Sequence, residues 1–385
     1  MKIFLSFLQS EENYPIPAYS FWQHYIKNGI TESGNYWVEC STADWAYGLV
    51  PKSKVEQQFW KKDTWAKTVD WLRQNPADLF LSYLYPHQID LQAIKQIQKL
   101  GIPCVNFFCD NVREFIKIPK EYGVFDLNWV PEYKAIKMYK KAGYPYINLP
   151  MPMWVDPIYR TFSPETFNQV TFIGSKDIQR LKLLEKVIAQ NQDLPLALYG
   201  SGWIEDCNEA ITNNGYRQSV VKKIFSNLNY LYNQGFNTFY RKITAPSLNY
   251  EASSTLAKHI YAKPDFNEYN ALTSKSMITL GINRYPSFRH PLILPDTYSR
   301  LRDIEAPMLG ACYLTECTEG LESLYNFENE ISVYRTANEL IEKIKLLKSE
   351  SELRIELKKK GQLRALTNHN VGNSIKKIQA ALSMK

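Results

Sequence analysis

The sequence contains no D-x-D triplet, no G-x-G-x-x-G fingerprint and no G-x-x-x-x-G-K-[ST] loop. The last two absences argue against dinucleotide or ATP chemistry, whose phosphates those glycine-rich turns cradle. No His/Cys/Asp cluster has metal-ligand spacing either, so neither a metal nor a bound cofactor is expected. No apolar run approaches the ~18 to 20 residues that a membrane span requires. The N-terminal stretch MKIFLSFLQSEEN holds one lysine, and Gln9, Glu11 and Glu12 break its apolar run. It reads as a first strand and not as a signal peptide. No repeat of solenoid length is visible. The six cysteines are scattered, and Cys104/Cys109 and Cys312/Cys317 are each five apart within strand-like runs, so each pair points to opposite faces. Reduced, buried thiols of a cytoplasmic protein are expected.

What is present is globular: 45% hydrophobic and 22% charged residues over 385 positions, enough chain for two cores. The net charge of +7 is local. Residues 341–385 hold eleven Lys/Arg against four glutamates, a difference of +7, which leaves the remainder neutral. A basic C-terminal helical region suits a solvated helix face or peripheral contact with an anionic inner membrane surface. Nucleic acid is not expected, because aromatics do not interleave with these basic residues. Of the 26 tyrosines and nine tryptophans, most should pack the core. Those in YPIPAYSFWQHY (14–25) could instead stack on a sugar ring or a lipid-linked acceptor.

Short apolar runs alternate with amphipathic stretches. Strands are expected at 2–8, 36–41, 79–85, 104–110, 127–131 and 146–151, with helices over 64–75, 90–101 and 132–143. After a proline-rich stretch at 150–168 the pattern restarts. Strands at 169–175, 194–203, 276–284, 311–316 and 331–335 are joined by helices at 179–191, 337–350, 350–366 and 371–384. Such alternation implies α/β architecture with parallel sheets covered on both faces. We expect two doubly wound Rossmann-like domains facing across a cleft: residues 1–155, a linker at 156–168, and residues 169–368 with a helical insertion at about 204–265. A last helix over 369–385 would return to the first domain.

Ligands of such sheets bind beyond the carboxyl ends of strands. In the second half three strand ends carry groups suited to a nucleotide diphosphate. FIGSKDIQR offers Gly174 and Ser175 at a strand-to-helix turn, with Lys176 and Arg180 nearby. LYGSGW offers Gly200, Ser201 and Gly202, where missing side chains let a ligand approach the backbone. GINRYPSFR offers Asn283 and Arg284. In SRLRDIEAPMLGACYLTE, Leu301, Ile304 and Met308 form one helical face and Gly310 a left-handed stop. Arg302 and Glu305 lie on that helix, Glu305 at the edge of the buried face. In the first half, Asp110 and His87 follow strands and are candidates for taking a proton from an acceptor hydroxyl; Asp110 is also a plausible helix cap and His87 a loop anchor. Glu11 and Glu12 are a third option.

Taken in order, VTFIGSKDIQRLKLLEKV, LALYGSGW, YNALTSKSMITLGIN, RDIEAPMLGACYLTE and VYRTANELIEKI resemble the nucleotide-binding half of GT-B glycosyltransferases, most of all the CgeB-like (spore maturation protein) group. That group's R-x-F-E-x-x-x-x-G signature is matched by Arg302, Ile304, Glu305 and Gly310. The resemblance covers about 169–368, more weakly PADLFLSY and VNFFCDN in the first half. It implies that Glu305 accepts both ribose hydroxyls of a sugar nucleotide, which one carboxylate can do. Many retaining members carry a second glutamate eight positions earlier, where this chain has Thr297. Absent a metal, the departing diphosphate would be neutralised by Lys176, Arg180, Arg284 and Arg302. The expected activity is transfer of a sugar from a nucleotide-diphosphate sugar to a glycan, lipid-linked or protein acceptor. A sugar-nucleotide epimerase or hydrolase, and a non-catalytic nucleotide-sugar sensor, are the alternatives.

Overall fold

Among the described residues eleven short runs form strands, and each runs parallel to its neighbours. The structure is a computed structural model that describes all residues except 11, 13, 15–18, 51, 163–166, 205–239, 241–243, 245–250, 287–291 and 385. Most of the expected 204–265 insertion, and Glu11, lie outside the described residues. By contacts the chain divides into two units, Met1–Trp154 with Thr367–Lys385, and Val155–Leu366.

Unit 1 is built on β1 (Lys2–Ser6), β2 (Tyr36–Val38), β3 (Leu79–Ser82), β4 (Cys104–Phe107), β5 (Leu127–Trp129) and β6 (Tyr146–Ile147). Their order across the sheet is β2-β1-β3-β4-β5-β6. Helices α1 (Tyr19–Glu32), α2 (Lys54–Gln74), α3 (Leu91–Lys99), α4 (Asn111–Glu114) and α5 (Ala135–Ala142) connect them. Helix α2 starts ten residues before the expected 64–75, because Ser53 and Glu56 form a reciprocal capping box that satisfies its first N–H groups. Strands β3 and β4 are buried along their whole length, as strands covered on both faces must be.

Unit 2 contains β7 (Phe167–Ile173), α6 (Ile178–Gln190), β8 (Leu196–Tyr199), α7 (Ser254–Ala257), α8 (Phe266–Lys275), β9 (Ser276–Gly281), α9 (Arg302–Met308), β10 (Tyr313–Glu316), β11 (Ser332–Tyr334) and α10 (Ala337–Ser349). Helix α11 (Ser351–Asn368) follows, and α12 (Val371–Ser383) packs on α1 in unit 1. The sheet order is β11-β10-β9-β7-β8. Val170, Phe172, Leu184, Leu198, Ile278, Leu280, Leu314 and Leu340 form its core. Each fully buried side chain of this kind contributes roughly 1.5–3 kcal/mol.

From β7 the chain passes to β8 on one side and returns to β9 on the other. The carboxyl ends of β7 and β9 therefore flank a topological switch point, where open α/β sheets leave a crevice. In unit 1 the corresponding point lies between β1 and β3.

Candidate functional site

Asp177 accepts from the Gln179 N–H and caps α6 just after β7. The cap starts α6 so that Arg180 comes back over the strand end, 8% exposed. Its guanidinium lies 5.5 Å from the Phe172 ring centre and donates to the Ser175 carbonyl and hydroxyl at 2.6 and 3.1 Å. Burial lowers the Arg180 pKa to about 9, the Arg300 and Arg302 charges push the same way, and Asp177 opposes them. Arg300 stacks on Tyr298 at 4.5 Å and donates to the Arg284 carbonyl at 2.7 Å. The Arg302 guanidinium lies 5.4 Å from the Tyr269 ring centre. Neither Arg180 nor Arg300 is joined to a carboxylate by an ion pair among the described residues.

Glu305 is 3% exposed, not the surface glutamate that its residue type suggests. The Tyr269 hydroxyl, on α8, donates to its carboxylate. Burial pushes the Tyr269 pKa up, Arg302 opposes this and Glu305 adds to it, so the phenol keeps its proton and acts as the donor. Helix α9, which carries Arg302 and Glu305, ends at Met308 after Pro307, and Gly310 follows at φ +74° in the left-handed stop. Three guanidiniums, a phenol and a carboxylate thus gather beside the β7–β9 switch point.

The other expected residues are placed as follows. The Asn283 amide is already engaged by the protein. It is 1% exposed and donates to Asp303, Thr315 Oγ1 and the Glu316 carbonyl. The reason is Asp303, a fully buried carboxylate that also accepts from Ser299, the Arg300 N–H, Tyr313 and Thr315. A buried carboxylate needs every donor it can find. Arg284 is likewise engaged, at 2.8 Å from Glu316 and 3.2 Å from the Gln179 carbonyl. Burial raises the Glu316 pKa, and Arg284 pulls it back down. Thr297 pairs with Arg284 in an antiparallel bridge.

Gly174 and Gly200 face each other: a Cβ on Gly200 would sit 2.4 Å from the Gly174 carbonyl oxygen. These glycines let two loops pack, and Trp203 donates to that same carbonyl at 2.7 Å. Ser175, Ser201 and Gly202 are exposed, and Lys176 is half-buried with its N–H on the Ser201 carbonyl.

In unit 1, Asp110 precedes α4 but its side chain makes no capping bond. Glu132, following β5 and fully buried, takes that role and accepts from the Asn111 and Val112 N–H groups. Burial, with the Asp110 charge, pushes the Glu132 pKa up to about 8. Asp110 is left with Arg113 at 3.6 Å. His87 meets the Gly48 carbonyl through Nε2 at 3.2 Å, and burial lowers its pKa. Glu12 is exposed. Sequence reasoning missed Tyr269, Arg300, Asp303, Glu316 and Glu132. Among the described residues no group of three or more His/Cys/Asp/Glu could hold a metal, and no helix is long and apolar enough to cross a membrane. The described cysteines are free, four of them buried.

Solved structures share this fold across the whole chain at low identity. A glycosyltransferase from Rickettsia africae is 9% identical with a TM-score of 0.58, covering 100% of this chain and 98% of its own. Sucrose-phosphate synthase from Thermosynechococcus elongatus is 12% identical with a TM-score of 0.57, covering 100% and 99%. Anabaena Alr3699/HepE in complex with UDP is 12% identical with a TM-score of 0.56, covering 100% of both chains. The fold is therefore that of GT-B glycosyltransferases. No functionally curated protein matches the sequence. The sequence profile described as "Glycosyl transferase-like" matches residues 179–380, just over half of the chain and spanning α6, α9 and the Arg180, Arg302 and Glu305 positions. The chain belongs to this glycosyl transferase-like family and is a glycosyltransferase.

Proposed function

We propose that the protein transfers a sugar from a nucleotide-diphosphate sugar to a glycan, lipid-linked or protein acceptor, as the CgeB-like resemblance implies, and that it does so without a metal ion, in keeping with a sequence that has no D-x-D triplet. The observation that carries this reading is the gathering of Arg180, Arg300 and Arg302 around the strand end beside Glu305 and Tyr269. Guanidiniums gathered in this way repel one another, and an anion placed among them relieves that repulsion. A diphosphate has the matching charge and bidentate geometry. Glu305, held by Tyr269, accepts the ribose hydroxyls. Anabaena HepE, a neighbour of the same fold, has been solved with UDP and with UDP-glucose, which supports a nucleotide-sugar donor.

In the transfer step the arginines stabilise charge that develops on the departing diphosphate. Asp110 in unit 1 is the better placed of the two candidate bases, because Glu132 has taken over its capping duty while His87 is tied to Gly48. The basic residues of 341–385 support peripheral contact with an anionic membrane surface, which would appear as salt-sensitive binding to anionic vesicles.

The test is calorimetric titration of UDP, GDP, dTDP and ADP in EDTA. One nucleotide should bind the wild type, and Glu305→Ala should weaken it by about 2–4 kcal/mol through loss of two charge-assisted hydrogen bonds. Asp110→Asn should bind it as well as wild type yet lose transfer. Failure of every nucleotide to bind, or undiminished binding by Glu305→Ala, would remove the basis for the reading.

A further inference from the structure

Helix α11 carries two polar side chains where its spacing calls for apolar ones. Lys358, Gly361, Gln362 and Ala365 recur at i, i+3, i+4 and i+7, and all four are buried, so they form one inward face. Lys358 is 2% exposed and Gln362 6%, whereas the adjoining Lys359 and Lys360 are exposed. A buried ammonium is costly, and a methionine or leucine would fill the same place without that cost.

Both side chains reach the carboxyl ends of helices. Lys358 Nζ donates to the Ser274 carbonyl at 2.8 Å, in the last turn of α8. Gln362 Nε2 donates to the carbonyl of Met308, the last residue of α9, at 3.1 Å. The final carbonyls of a helix have no partner within it, and together they carry partial negative charge, so an ammonium and an amide suit these places. Among the described residues Lys358 is joined to no carboxylate by an ion pair, and burial lowers its pKa. The end of α8 is therefore what its charge serves. Gly361 permits the close approach, since a Cβ there would sit 2.3 Å from the Glu330 carbonyl oxygen and 3.9 Å from Pro307 Cβ on α9.

These two helices carry Tyr269 and Glu305, whose hydroxyl and carboxylate are hydrogen-bonded. Tyr269 lies five residues before Ser274 and Glu305 three before Met308, about 7.5 and 4.5 Å along the helix axes. One face of α11 thus grips both helices within two turns of the pair. Because Tyr269 and Glu305 belong to different helices, their mutual placement depends on what fixes those helices to each other.

We propose that Lys358 and Gln362 are positioning residues, which set the Tyr269–Glu305 pair for a ribose by holding the carboxyl ends of α8 and α9. The inference rests on the reading of Glu305 as the acceptor of the ribose hydroxyls.

The test is calorimetric titration of the full-length protein with UDP, GDP and ADP, each beside its 2′,3′-dideoxy form, which lacks the hydroxyls assigned to Glu305. Wild type should bind one ribose form at least about thirtyfold more tightly than its dideoxy form, two charge-assisted hydrogen bonds being absent from the latter. In Lys358→Met that ratio should shrink about tenfold, because a displaced carboxylate gains less from the hydroxyls, while the dideoxy form binds as it does to wild type. Gln362→Leu, which loses one neutral donor, should shrink the ratio in the same sense and serves if Lys358→Met does not fold. Loss of folded protein alone would weaken both forms alike, so the ratio separates positioning from stability. Folded variants that keep the wild-type ratio, or that weaken both forms equally, would overturn this inference and leave the role of Glu305 standing. Wild type that binds no ribonucleotide, or binds both forms alike, would overturn the inference and that role together.

Discussion

Glu305, Arg180 and Glu132 are all charged side chains near strand ends, and their surroundings give them three different tasks. Glu305 is buried and accepts from the Tyr269 hydroxyl. Arg180 is held among like charges. Glu132 is spent on the two N–H groups at the start of α4. None of this is readable from residue type, since each of the three is more often solvated than buried. Glu132 yields a pH signature. Its pKa rises from an ordinary 4.5 to about 8 on folding, so the folded protein holds this proton more tightly than the unfolded chain. Its contribution is therefore most favourable below about pH 4.5 and is lost as pH rises towards about 8. Glu132→Gln, which cannot ionise, should flatten that part of the stability curve, measured as urea midpoints between about pH 5 and 8. A slope unchanged by the substitution would place the buried proton elsewhere.

At the scale of elements, the strands were legible because a strand buried on both faces is a continuous apolar run, and those runs recur in order from KIFLS to SVY. Helix starts were less so. The capping box of Ser53 and Glu56 was present in the sequence, yet the weak periodicity of α2 hid it. The glycines of FIGS and LYGSG have a second duty that only the structure shows. They read as a gap left for phosphate, and Gly200, at φ +131°, also lies against the backbone of Gly174, a packing contact that the local sequence does not record. Gly200→Ala should therefore lower stability by about 2–4 kcal/mol, combining strain at positive φ with a backbone overlap. Thermal unfolding checks this, and a variant that melts with the wild type would mean that the two loops separate freely.

At the scale of the whole molecule, the chain leaves unit 1, builds unit 2 and returns through α12, whose Val371, Ile375 and Ile378 are buried and whose first residues meet α1 at Gly29. Deleting residues 371–385 should uncover this face of α1 and destabilise unit 1 by about 5 kcal/mol, at roughly 1.5–3 kcal/mol for each buried aliphatic side chain. The transition of unit 2, followed by calorimetry, should keep its midpoint. Equal loss in both units would show that they unfold as one. The sequence by itself determined the α/β class, the order of strands and helices, and the Arg302, Glu305 and Gly310 helix with its stop, because periodicity, caps and left-handed glycines act over a few residues. Tertiary structure alone decided which charges are paired and which are held unpaired. It drew Asn283 into the shell of Asp303, tied Arg284 to Glu316 and brought Arg300 to Arg180 from 120 positions away in sequence. Burial and ion pairing depend on neighbours that are distant along the chain, and no local pattern records them.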